Sequence, residues 1–321
     1  MKLGPWLDLN SLLLVVCGLA ALYGAAVWFR TADLVLFFLP YVLVATTVAA
    51  VLFLTWRRRH LILLTLLAIA SVAVIPVWAE RTADGTGTPI AVATVNTLAD
   101  KNGDKQGFAA WLRSTPADIV LLQEVSSWSA GLMREARAYP VRVGPVDGHV
   151  GILSRYPLVG EPRLFSDGAF SPRHRLIRAE FDVTDPAKPG AARRTMVVYA
   201  LHAQTPRSKL RWLERNRLLA VLAEQVSKEA PGTAIVVGGD FNTPPWSPWL
   251  HKLLATTPLT LADKSLWPAA TRYFREFGWP EFFGSTVDHI LVSPEVRILG
   301  HRVGPNVGSD HLPVTASILL N

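Results

Sequence analysis

The chain has 321 residues, half of them hydrophobic, and a formal net charge of +7; its mean hydropathy of +0.28 is too apolar for an ordinary soluble enzyme of this size. A single cysteine, Cys17, excludes an intrachain disulfide and a thiolate zinc site. Residues 1–79 hold five basic and two acidic side chains, which leaves 27 basic and 23 acidic ones beyond, a net of +4 that permits a polyanionic partner without requiring one.

The apolar excess lies at the start. Ser11–Phe29, Leu34–Trp56 and Leu61–Ala79 are uncharged, each about as long as the ~20 residues that span a hydrocarbon core. They predict a three-helix membrane anchor over residues 1–79, in contact with a lipid bilayer. The run Arg57-Arg58-Arg59 separates the second and third stretches, and the loop between the first and second carries Arg30 and Asp33 without net charge. The positive-inside rule then puts the arginines and the N-terminus in the cytoplasm and everything after the third helix outside it. The chain is thus expected to be a three-pass integral protein of the inner or plasma membrane. Residues 80–89 are polar and rich in glycine and threonine, a short tether.

Residues 90–321 suit one domain. Short apolar or β-branched runs predict strands at Ile90–Asn96, Asp118–Glu124, His149–Ser154, Leu176–Val183, Thr195–His202, Thr233–Asp240, Val287–Ser293 and Val314–Leu319. Helices are predicted at Lys105–Ser114, Ser127–Ala138 and Pro206–Lys228, the last from the near-helical spacing of Leu210, Leu213, Leu218, Leu222 and Val226. The alternation argues for an α/β domain.

Several strands end in a polar side chain: Asn96, Glu124, His202 and Asp240, the last followed by Asn242. Asp288 opens a later strand, and Asp310-His311 comes near the C-terminus. Singly, each such residue more often caps a turn than does chemistry. Together, carboxylates, amides and histidines delivered to one edge are what metal-assisted hydrolysis uses. Arg173, His174 and Arg175 form a basic cluster that reads first as a solvated loop and second as a phosphate-steering patch, with Arg173 a weak substrate contact. Trp246–Phe283 is dense in aromatics, which reads first as core and second as a lipid-facing rim.

The ordered set N…QEV…ALH…GGDFN…VDHILVS…GSDHLPV resembles the endonuclease/exonuclease/phosphatase (DNase I-like) superfamily over about Ile90–Leu319. The resemblance implies a four-layer α/β/β/α sandwich of two packed mixed sheets, with the active site at one end. It implies that Glu124 ligates Mg²⁺ or Mn²⁺, with Asn96 supporting the metal site and Asp310 close to it. Asp240 would activate the attacking water, Asn242 and His202 would contact phosphate, and His202 would do so as an imidazolium. His311 would face the phosphoryl group with Asp288 as its partner. The implied activity is metal-dependent phosphodiester hydrolysis, on nucleic acid or, alternatively, on phospholipid in the manner of a phospholipase C or sphingomyelinase. A phosphomonoesterase and a non-catalytic membrane-anchored binding module stand as further alternatives. No protein partner can be read from the sequence.

Overall fold

Strands β1 (Ile90–Asn96) and β2 (Ile119–Gln123) pair in parallel at the centre of a six-stranded sheet. The computed structural model describes residues 6–45, 89–146, 149–165, 175–185, 190, 192–265, 269–274 and 284–321, with residues 6–16 and 145–146 described in backbone only. Around the central pair lie β3 (Val141–Val146), β4 (Val150–Ser154), β13 (Val296–Val303) and β14 (Val314–Leu320), in the order β13-β14-β1-β2-β4-β3. The second six-stranded sheet runs β5-β6-β7-β8-β12-β9. Its members are β5 (Arg163–Phe165), β6 (Leu176–Asp182), β7 (Thr195–His202), β8 (Ile235–Asp240), β9 (Thr260–Leu261) and β12 (Asp288–Val292). A two-stranded ladder joins β10 (Arg272–Tyr273) to β11 (Gly284–Ser285). Both large sheets mix parallel and antiparallel pairs.

Alternation along each strand builds the layers. In β7, Met196, Val198 and Ala200 point between the sheets, while Val197, Tyr199 and Leu201 point to the outer face. A strand buried on both faces reads as an unbroken apolar run, which is why the sequence shows it so clearly. Helices α3 (Lys105–Ser114) and α4 (Ser127–Glu135) cover the first sheet through Phe108, Leu112 and Met133. Helices α5 (Lys209–Ser227) and α6 (Pro248–Thr256) cover the second through Leu218, Leu222, Leu250 and Leu253. Each such apolar side chain contributes roughly 1.5–3 kcal/mol on burial. The expected four-layer sandwich is therefore present. Helix α6 was not expected; its signal was Ser247, whose side chain accepts from Trp249 N at 3.3 Å, followed by proline at the first helical turn.

The N-terminal segment departs from its sequence reading. Helix α1 (Trp6–Trp28) covers the first expected span, but Arg30–Asp33, expected as a loop, belongs to helix α2 (Arg30–Leu36). The second expected span is broken by a turn at Phe37–Phe38 before residues 39–45 become helical again. Leu36, Leu39, Leu43 and Ala26 bury themselves with Trp246 of the α/β domain. The reason is hydrogen bonding as well as apolar contact. Trp246 Nε1 donates to Leu36 O, Trp249 Nε1 donates to Ala26 O at 3.2 Å, and Tyr41 Oη donates to Gly284 O at 2.8 Å. Trp246, Trp249 and Phe274 of the Trp246–Phe283 stretch thus pack on the chain's own N-terminal segment, whereas Tyr273 is buried and donates to Ser309 O at 2.7 Å; Trp267, Phe277, Trp279, Phe282 and Phe283 lie outside the described residues. Among the described residues no helix is long and apolar enough to cross a membrane. Residues 46–88, which include the latter half of the second expected span, all of the third and nearly all of the tether, lie outside the described residues.

Candidate active site

Backbone register assembles the site before any side chain is considered. His202 lies opposite Asp240 in the parallel β7–β8 pair, and Asp240 lies opposite Asp288 in the antiparallel β8–β12 pair. Three functional side chains therefore share one rung of the second sheet. In the first sheet Asn96 pairs with Gln123, and Glu124 follows at once in a left-handed conformation, φ 49°. Such a φ costs an ordinary side chain energy and is kept where the surroundings demand it. Gly239 has φ 153°, and a Cβ there would fall 1.9 Å from Leu201 O. Only glycine lets β8 approach β7 this closely just before Asp240.

Asn96 joins the two sheets. Its Nδ2 donates to Glu124 Oε1 at 3.2 Å and to Asp240 Oδ2 at 3.1 Å, while its Oδ1 accepts from Leu98 N at 2.9 Å. The residue holds both carboxylates in place with its amide nitrogen. Asn242 does similar work from the other side. Its main-chain N–H donates to Asp240 Oδ1 at 2.9 Å, and its Nδ2 donates to Asp240 Oδ2 at 2.9 Å and to Ala203 O at 2.9 Å. Both amide hydrogens expected to meet phosphate are thus engaged within the protein.

The surroundings shift the two histidines in opposite directions. Burial lowers the pKa of His202 well below its ordinary value, and Arg175, His149 and His311 lower it further. Arg175 Nη1 approaches His202 Nδ1 at 3.4 Å. An arginine can only donate, so Nδ1 accepts and the ring proton sits on Nε2. That nitrogen faces Glu124 Oε1 at 3.7 Å and Asp240 Oδ2 at 3.8 Å. The imidazolium expected of His202 is therefore corrected to a neutral ring that donates from Nε2. His311 takes the cationic role. Burial pulls its pKa down, but Asp288 and Asp240 outweigh this and raise it to about 9. Its Nδ1 bonds Asp288 Oδ2 at 2.9 Å, which leaves Nε2–H directed at Asp240 Oδ2, 3.7 Å away, and Asp310 Oδ1, 4.0 Å away. Asp240 is raised to about 7, first by burial and also by Asp288, against the lowering effect of His311 and the Asn242 N–H. A base poised there is matched to neutral pH.

Glu124, His202, Asp310 and His311 line an open pocket of about 690 Å³. Asp310 Oδ2 accepts from Arg272 Nη2 at 3.2 Å, whereas Asp310 Oδ1 is buried without a hydrogen-bond partner among the described residues. A buried carboxylate oxygen left unbonded is costly, and a divalent cation relieves that cost. Asp240, Asp288 and His311 also bring three ligand-type atoms within 4.8 Å of one another. Sequence reasoning missed three residues here. Arg175, read first as part of a solvated loop and second as part of a phosphate-steering patch, is buried against His202 and lines the pocket. Thr271 Oγ1 donates to Asp288 Oδ2 at 2.7 Å, and Arg272 pairs with Asp310. Their only sequence signal was proximity to an aromatic stretch or a charge run. Arg173 lies outside the described residues.

With this geometry in hand, the family follows. The Endonuclease/Exonuclease/phosphatase family profile matches residues 93–311, and the chain belongs to that family, whose members hydrolyse phosphoesters. Among curated proteins none matches the chain. The fold is similar to that of an endonuclease/exonuclease/phosphatase from Bacteroides vulgatus, at 19% identity and TM-score 0.58, over 73% of this chain and 100% of that one. It is also similar to the mannosyl-6-phosphatase Bt3783 of Bacteroides thetaiotaomicron, at 17% identity and TM-score 0.56, over 72% and 100% of the two chains. Sphingomyelinase C from Streptomyces griseocarneus, at 20% identity and TM-score 0.52, matches over 72% and 99%.

Proposed function

We propose that the chain is a divalent-metal-dependent phosphodiesterase that uses Asp240 to activate water. The observation that carries this reading is that Glu124, His202, His311 and Asp310, with its unbonded Oδ1, line one open pocket, with Asp288 and Asp240 packed behind His311 at 2.9 and 3.7 Å. Glu124 and Asp310 are the oxygen donors that would hold Mg²⁺ or Mn²⁺, because the direct His311–Asp288 hydrogen bond fills the space between those two side chains. Bound there, the cation supplies charge neutralisation at a phosphoryl oxygen. Asp240 accepts a proton from water as the water oxygen bonds to phosphorus and the bond to the leaving oxygen breaks in line. The His311 imidazolium and the His202 Nε2–H stabilise the charge that develops on the phosphoryl oxygens. Asn96 and Asn242 keep Asp240 aimed.

A nuclease is one form of this activity. A lipid phosphodiesterase is the second, and a specific observation favours it. Val27, Trp28, Phe29, Val35, Val42 and Val44 are exposed on the N-terminal segment, an apolar surface of the kind that meets lipid. That segment reaches the pocket's rim, because Arg30 Nη1 donates to Pro206 O at 3.3 Å and to Arg207 O at 3.4 Å, and Arg207 borders the pocket. The proposal includes a bilayer anchor over residues 1–79 with the domain on the extracytoplasmic face. Its support is the uncharged apolar stretches and the positive charge of Arg57-Arg58-Arg59 between the second and third.

The test is turnover by the full-length protein in detergent on plasmid DNA, sphingomyelin mixed micelles and bis-p-nitrophenyl phosphate, with Mg²⁺, Mn²⁺ or EDTA. Metal-dependent turnover that is lost in Asp240→Asn and His311→Ala is the expected result, and the preferred substrate chooses between the two forms. Metal binding by a folded protein without turnover on any substrate would overturn the hydrolase reading in favour of a binding module.

A further inference from the structure

We infer that Asp33, in the N-terminal segment, is a positioning residue for the catalytic loop: through Arg215 it holds the main chain at Asn242 and, with it, Asp240. The inference deepens the hydrolase reading above and rests on it.

Asp33 and Arg215 are both fully buried, at 0% exposure. Arg215 Nη2 donates to Asp33 Oδ2 at 2.5 Å. The same carboxylate oxygen accepts from Trp212 Nε1 at 3.0 Å, and Oδ1 accepts from Ser247 Oγ at 3.0 Å. Arg215 directs Nη1 to Asn242 O at 3.1 Å and shares Nε and Nη2 with Asn216 Oδ1 at 2.8 and 2.6 Å. Asn216 and the Asn242 carbonyl are neutral, so Asp33 is the counter-charge. A guanidinium keeps its proton at any pH a protein tolerates. Without Asp33 the protein would bury an uncompensated cation, a severe defect. That cation grips the carbonyl of a residue already held at φ 46°, whose N–H and side chain orient Asp240.

Two further features make Asp33 more than a surface tether. Ser247, its third partner, is the N-cap of α6 and follows Trp246, which donates to Leu36 O. One carboxylate therefore fixes both ends of the segment from Asn242 to Ser247. The contact also spans 182 residues of sequence, from a part of the chain otherwise read as an anchor. A misplacement of about 1 Å at a reacting group costs on the order of 10²-fold in rate. The N-terminal segment is thus a functional part of the hydrolytic unit.

The experiment uses the full-length protein in detergent, as wild type, as Asp33→Asn and as the double variant Asp33→Leu/Arg215→Met, which removes the buried charges together. Hydrogen exchange of the peptide spanning residues 240–247, the melting temperature, and kcat and KM on bis-p-nitrophenyl phosphate with Mn²⁺ are read for each. In Asp33→Asn we expect exchange in that peptide to quicken about tenfold while β1 and β7 stay protected, and kcat to fall about 10–100-fold with KM little changed. The double variant should recover the melting temperature but not kcat or loop protection, because the grip on the Asn242 carbonyl is lost. Recovery of kcat together with the melting temperature would reduce Asp33 to a stabilising role and overturn the inference, as would unchanged loop exchange in Asp33→Asn. Absence of turnover in the wild type counts against the hydrolase reading alone, since the exchange comparison then decides the role of Asp33. If Asp33→Asn does not fold, the double variant decides in the same way.

Discussion

Asp288 Oδ2 lies 2.9 Å from His311 Nδ1 and also accepts the Thr271 hydroxyl at 2.7 Å, so the carboxylate that charges the histidine is itself oriented by a side chain from another strand end. Replacing Asp288 by Asn keeps the shape and removes the charge that raises His311. We expect turnover to fall about 10²–10⁴-fold. The alkaline limb of the pH–rate profile should move to lower pH, because the imidazolium would be lost earlier. Thr271→Val should produce a smaller loss, about tenfold. An unshifted alkaline limb in Asp288→Asn would remove His311 from the cationic role.

Metal-free protein should lose stability as the pH rises above neutrality. His311 is raised from 6.5 to about 9, so the native state keeps a proton that the unfolded chain has released. The stability this supplies is complete below about pH 6.5 and disappears as the pH climbs through about 9, at most on the order of 3 kcal/mol. Asp240, raised from 3.8 to about 7, acts in the same direction, its contribution falling above about pH 4 and being lost as the pH rises through about 7. Melting temperatures in EDTA from pH 8 to 10 chiefly read the histidine. A shallower fall in His311→Gln than in wild type above pH 8 is the expected pattern.

Two neighbouring glycines should respond differently to alanine. A Cβ on Gly239 would meet the backbone oxygen of Leu201 at 1.9 Å, whereas one on Gly238 would meet the flexible end of Leu121 at 2.6 Å. Gly239→Ala should destabilise by about 3 kcal/mol or more, or fail to fold. Gly238→Ala should cost about 1–3 kcal/mol, the usual result of overpacking. Urea unfolding of both variants checks the order, and equal losses would contradict the close approach of β7 and β8.

Trp246 is buried against Leu36, Leu39 and Leu43 and donates to Leu36 O. Trp246→Ala should therefore cost about 3–5 kcal/mol. A fragment starting at Glu80 would expose the same surface and leave Arg215 without its counter-charge. It should melt well below the full-length protein and bind a hydrophobic dye. A fragment as stable as the full chain would show that the domain does not need its N-terminal segment.

The sequence was most legible where strands are buried on both faces. The boundaries expected for β1 and β7 match those observed, because each is an apolar run closed by a polar residue. It was least legible at edges. In β13, Arg297, His301 and Arg302 interrupt the apolar pattern, and a register shift falls between Ile298 and Gly300. In β3, Gly144 and Pro145 do the same. The site residues at strand ends were readable because motif and strand coincide. Arg175, Thr271 and Asp33 were not, because each owes its role to partners 27, 17 and 182 residues away, and no local pattern records such pairings.

The shared rung of β7, β8 and β12 works as a fixed ruler. Neighbouring strands sit about 4.8 Å apart whatever their side chains, so the spacing of His202, Asp240 and Asp288 is set by backbone hydrogen bonds. Substitutions around the mouth of the pocket can reshape what enters without altering that spacing. The same rigidity makes the chain intolerant of a changed residue count. One residue inserted within Ile235–Gly239 would turn Asp240 to the opposite face of its sheet and disconnect it from Asn96.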